Sequence, residues 1–145
     1  MESLNQLLTK IRTVAAGNAF IRQTFIGPEF DIAADEAAEY PLLWVMPDGF
    51  EMDFEGGRVA YRFTAAVMDR EQHDRSNQME VLSDTAQIVI DLLNGLHYDY
   101  RASDVKVVCN DTAEPFIGDK TDFVAGHGIS FSIEVSYTRD ACAIP

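Results

Sequence analysis

Between Ser76 and Leu96 the chain reads SNQMEVLSDTAQIVIDLLNGL, with Met79, Leu82, Ala86, Val89, Leu93 and Leu96 following one another at steps of three and four. Asn77, Glu80, Asp84, Gln87, Asp91 and Asn94 repeat the same spacing on the opposite side. Two interleaved stripes of this kind describe one amphipathic α-helix with a dry and a wet face. Val81, Ile88, Ile90 and Leu92 flank the apolar stripe, which makes the buried face broad enough to cover a sheet. Such a helix runs ~30 Å at 1.5 Å per residue, the width of a small domain. Ser76 offers an N-cap and Asn94-Gly95 a stop signal. The rest of the chain must therefore supply what this helix packs on.

A second amphipathic helix is predicted over Ser3–Ala16, with Leu4, Leu7, Leu8, Ile11, Val14 and Ala15 on one face. Ser3 and Gln6 have capping-box spacing, and Gly17 follows the last turn. Phe20–Ile26 reads as a strand. Gly27-Pro28 ends it, and the acidic, Ala-rich stretch 28–39 reads as a surface loop or short helix. Leu42–Met46 is almost continuously apolar, as a strand buried on both faces would be. Val105–Cys109 is a further strand. Residues 129–138 alternate strictly between Ile129, Phe131, Ile133, Val135, Tyr137 and Ser130, Ser132, Glu134, Ser136, Thr138, the mark of an antiparallel strand with one wet face.

The stretch from Phe50 to Val67 predicts a β-hairpin. With Gly56-Gly57 as a two-residue turn, Phe54 faces Val59, Met52 faces Tyr61 and Phe50 faces Phe63. The other side then pairs Glu55 with Arg58 and Glu51 with Arg62. One register satisfies apolar and charge pairs together. The six apolar side chains Phe50, Met52, Phe54, Val59, Tyr61 and Phe63 are candidates for a subunit contact, and Glu51, Asp53 and Glu55 for an acidic surface. The expected fold class is α+β: one domain over residues 1–145, order α-β-β-β-α-β-β, with two helices packed on a mainly antiparallel sheet and an extended β-hairpin.

The formal net charge is −13, from 24 Asp and Glu against 11 Lys and Arg. A basic patch for nucleic acid is therefore not expected, because phosphate binding needs cationic counter-charge. Acid excess keeps a protein soluble and repels passing DNA. Cys109 and Cys142 form no disulfide framework and suit a reducing compartment. The N-terminus lacks the pattern of a signal peptide, and no apolar run reaches the ~20 residues of a membrane span. His73, His97 and His127 are scattered, with no two at helical spacing and no CxxC to join them, so no metal site is predicted. Asp119–Asp122 lacks the oxygen alternation of a calcium loop. No phosphate loop, no GxSxG and no other catalytic motif occurs, and neither an enzyme nor a cofactor is expected.

Three stretches resemble a known family: the strand YPLLWVMP, the long helix ending in NGL, and the ending EPFIGDKTDFVAGHGISFSIEV…CAIP. Their order and character are similar to the tail-completion or tail-terminator (neck) proteins of tailed bacteriophages, of the lambda type. The resemblance covers the chain from about Tyr40 onward. It implies a structural virion protein, assembled in the host cytoplasm as a ring, commonly hexameric. Such a ring sits at the head-proximal end of the tail, ends growth of the tail tube and joins the tube to a head-completion protein. Duplex DNA passes through its lumen without sticking. The family has no catalytic residues to transfer, and the acidic 28–39 stretch matches no part of its pattern. Three other readings stand beside this one: another head-tail connector (neck or adaptor) protein, a non-viral adaptor that binds a protein through its sheet edge, and a small metal-dependent hydrolase built on Asp48, Glu51 and Asp53.

Overall fold

The computed structural model describes residues 2–27, 39–72, 74, 76–117 and 124–137. Two helices and six strands lie among them: α1 (Leu4–Ala16), β1 (Gln23–Ile26), β2 (Leu42–Asp53), β3 (Arg58–Arg70), α2 (Gln78–Asp99), β4 (Lys106–Val108), β5 (Glu114–Ile117) and β6 (Val124–Ser136). They form one mixed, mostly antiparallel sheet in the order β1-β2-β3-β6-β4, with β5 also paired to β6. Only β1 runs parallel to its neighbour, β2. Both helices lie on one face, α2 over β3, β6 and β4, and α1 beside α2. The fold is α+β. The 28–39 stretch, apart from Glu39, the 119–122 region, His73 and Cys142 lie outside the described residues.

The capping box of α1 forms in full. The Ser3 N–H donates to Gln6 Oε1 at 2.7 Å, and the Gln6 N–H donates to Ser3 Oγ at 3.3 Å. Two of the four orphan N–H groups at a helix start, or close to it, are thereby satisfied. Leu7, Ile11 and Ala15 are the fully buried members of its apolar stripe.

In α2 the buried stripe is Val81, Thr85, Ile88, Val89, Leu92 and Leu96. The expected line through Met79, Leu82, Ala86 and Leu93 is thus displaced by about one position, and Met79 is 75% exposed. Both lines are apolar between residues 88 and 93, so spacing alone did not separate them. A polar residue decided the matter. Thr85 can be buried because its hydroxyl donates back to the Val81 carbonyl at 2.8 Å and lies 3.1 Å from His127 Nδ1 on β6. Gly95 does not stop the helix; it lies inside the last turns, where a Cβ would stand 2.9 Å from Val14 Cγ1 of α1.

Alternate residues of the central strands divide between two cores. Leu43, Val45, Phe63, Ala65, Val67, Ile129, Phe131, Ile133 and Val135 meet the helices. The Phe63 and Phe131 rings stack there with centroids 5.4 Å apart. On the far face Leu42, Trp44, Ala66 and Met68 form a smaller cluster, covered by Phe25, Tyr40, Met46 and Phe116. Leu42–Val45 is buried on both sides, as its apolar run predicts. Three features depart from the sequence reading. The runs Leu42–Met46 and Phe50–Asp53 are one strand, bent by a bulge between Pro47 and Phe50. β6 begins at Val124, and Glu114–Ile117 adds a short strand where a connection was expected.

Candidate assembly surface at the hairpin end

Beyond Pro47, β2 and β3 run on to the hairpin turn with β6 alongside β3. The hairpin forms, but its register differs by two residues from the expected one: Phe50 pairs with Tyr61, Glu51 with Ala60, Met52 with Val59 and Asp53 with Arg58. The turn is the four-residue segment 54–57, not the glycine pair alone. Asp53 is the cause. Its Oδ1 accepts the Gly56 N–H at 2.9 Å, closing an Asx-type turn one step earlier in the chain. Gly57 then takes φ +66, a conformation that glycine adopts without strain. Because side chains alternate with period two, a shift of two residues keeps every side chain on its intended face.

The six apolar candidates separate into two groups. Val59 and Phe63 are buried in the subunit's own core, which removes them from any subunit contact. The correction has a simple reason: β6 flanks β3 as far as the Arg58–Ser136 pair and brings Val135 and Phe131 beside them. Phe50 (59% exposed), Met52 (47%) and Phe54 (73%) stay open to solvent. Tyr61 is half-buried, with its ring 5.8 Å from that of Phe50. These side chains sit on ordered backbone. The Tyr137 N–H donates to the Gly57 carbonyl at 2.9 Å, and the Tyr137 hydroxyl lies 3.4 Å from the Asp53 carbonyl.

The acidic candidates are exposed and partly engaged. Glu51 Oε1 lies 3.3 Å from Arg62 Nη1, diagonal to it across the strands. The expected Glu55–Arg58 pair is replaced, since Arg58 Nη1 reaches Glu134 Oε2 on β6 at 3.4 Å. Exposed pairs of this kind contribute only about 0.2–1 kcal/mol each. Asp48 stands at the bulge beside Arg62, Asp111 and Ser132. Among the described residues, no three His, Cys, Asp or Glu side chains gather to hold a metal ion. Cys109 is a free, exposed thiol.

Two further electrostatic features stand out, the first on the wet face that the spacing predicts. The outer face of α2 carries Glu80, Asp84, Asp91 and Asp99, with neither Lys nor Arg between Gln78 and Asp99. Among the described residues, the one ion pair on this face is that of Asp99 with Lys10 Nζ at 3.8 Å. Conversely, a cleft of about 360 Å³ between the end of α2 and the start of β4 gathers Arg58, Arg101, Lys106 and His97. Tyr100 lines it and is only 5% exposed; its hydroxyl has no hydrogen-bond partner among the described residues. Burial, with the charges of Glu2 and Asp99, pushes that phenol up to about 12. The cleft draws on residues from three separate segments, which is why spacing along the chain gave no sign of it.

No family model matches this sequence, and no characterised protein matches it significantly. The functional reading therefore rests on the surface just described. No helix among the described residues is long and apolar enough to cross a membrane.

Proposed function

We propose that this chain is a structural subunit that assembles through its hairpin end into a ring. The form of ring is the one implied by the sequence resemblance: a tail-terminator or tail-completion ring at the head-proximal end of a phage tail, between the tail tube and a head-completion protein. The observation that carries the reading is the exposure of Phe50, Met52 and Phe54 within five residues of one ordered hairpin. Contiguous apolar surface on a rigid element is characteristic of a contact site. Acid excess supports the remainder of the reading, since a lumen that passes duplex DNA must not hold it.

The contact we infer uses the hairpin's face rather than its edge. Among the described residues, nothing pairs with the outer side of β2 after Val45. That open edge carries Pro47, a bulge, Glu51 and Asp53, devices that discourage strand addition. An adaptor that recruits its partner by extending the sheet fits such an edge poorly.

Sedimentation of the wild-type chain beside Phe50→Ser and Met52→Ser tests the proposal, with thermal unfolding measured in parallel. Assembly lost by both variants at nearly unchanged unfolding temperature is the expected result. Equal loss of assembly and stability would place these side chains in the service of the subunit's own core. A wild-type chain that is monomeric at every concentration would end the self-assembly reading.

A further inference from the structure

The cationic cleft and the hairpin tip are complementary, and on the ring reading above they have a reason to meet. We propose that the cleft between α2 and β4 receives the hairpin tip of a second copy, taking the Phe54 ring together with the carboxylates of Asp53 and Glu55. The cleft walls carry Arg58, Arg101 and Lys106 against only Asp104 and Glu134, a local cationic excess on a chain whose net charge is −13. A second copy of this acidic chain carries charge of the matching sign. Arg101 is already set in place: its Nη1 donates to the Tyr98 carbonyl at 2.7 Å, and its guanidinium stacks 3.6 Å from the centre of the Tyr98 ring. A guanidinium held in this way loses little freedom when it meets a carboxylate.

The tip has the matching chemistry. Phe54 is the most exposed aromatic side chain among the described residues, and an acid stands on either side of it. The turn beneath it is fixed by Asp53 from one side and Tyr137 from the other. An aromatic anchor on a preorganised turn is the usual centre of a strong contact, because little ordering remains to be done on binding. About 360 Å³ accommodates one aromatic ring. Arg58 joins the two patches, lining the cleft and standing opposite Asp53 at the base of the tip; a contact in which each copy's tip enters the next copy's cleft is heterologous and makes a ring when the rotation between copies closes.

Photo-cross-linking tests this directly. Phe54 is replaced by a photoreactive phenylalanine in an isotopically labelled full-length chain, which is mixed with unlabelled chain and irradiated. Labelled-to-unlabelled cross-links within residues 97–107 are expected. Lys106→Glu in the acceptor, or Glu55→Lys in the donor, should lower their yield by about tenfold, with unfolding temperatures close to wild type. Cross-links that land elsewhere while sedimentation shows assembly would overturn the cleft proposal and leave the ring reading standing. No inter-chain cross-links in a chain that also sediments as a monomer would overturn both. Saturable binding of inorganic phosphate by a chain that forms no such cross-link would assign the cleft to a small anion instead.

Discussion

Gly126 has no side chain because the neighbouring strand leaves no room for one: a Cβ there would run into the Val67 carbonyl oxygen and crowd Met68 Cα. Those neighbours are backbone atoms of β3 and cannot swing aside. Gly126→Ala should therefore destabilise the fold by about 1–3 kcal/mol, read as a lower urea midpoint at unchanged slope. One residue further along, His127 is held below its ordinary value of 6.5 by burial against α2, where Thr85 is its partner. The unfolded chain then binds a proton near pH 6.5 that the folded chain refuses until lower pH. Stability from this site is complete above about 6.5 and is lost as the pH falls below it. His127→Gln should flatten the pH dependence of unfolding in that window, and a slope identical to wild type would show that another group governs it. Neither effect could be read from the sequence, because both come from what stands opposite in the sheet. The Ser3–Gln6 cap was legible, since every atom of it lies within four residues.

At the scale of whole elements, periodicity located α1, α2 and the alternating strand β6, and gave the right faces for the hairpin. It failed where two solutions were equally apolar. In α2 the lines through Met79 and through Val81 compete, and the hydroxyl of Thr85, satisfied within its own helix, tips the choice. Val89→Asp should cost several kcal/mol, about 3–5, by burying an unpaired charge. Met79→Asp should fall within about 0.5 kcal/mol of wild type, as surface changes do. Chemical denaturation of the pair checks the corrected stripe; similar losses would restore the earlier one. The hairpin's register was misread because Gly56-Gly57 is the visible turn signal, whereas the Asp53 carboxylate sets the turn. β5 was missed for lack of length: Glu114–Ile117 contains a proline and, among the described residues, pairs with β6 alone. The subunit-contact candidates were half legible, with Phe50, Met52 and Phe54 exposed and Val59 and Phe63 claimed by the core.

Across the molecule, charge and topology set what the chain can meet. With a net charge of −13, it should show no duplex DNA binding at physiological salt by fluorescence anisotropy. Saturable binding that weakens steeply with added salt would mean that the cationic cleft, not the acid excess, dominates the encounter. The sheet also dictates an order of events. Its longest ladder joins β3 to β6 from Arg58–Ser136 to Arg70–Val124, so the strand at the centre depends on one made more than fifty residues later. The β2–β3 hairpin can form from local pairing as soon as it is made. Until β6 arrives, however, Val59, Phe63 and Val67 have one flank open beside the permanently exposed Phe50 and Met52. Non-local pairing of this kind is slow to close. A newly made chain therefore spends an interval with its assembly surface enlarged by part of its own core, and that interval is when wrong partners are most easily taken.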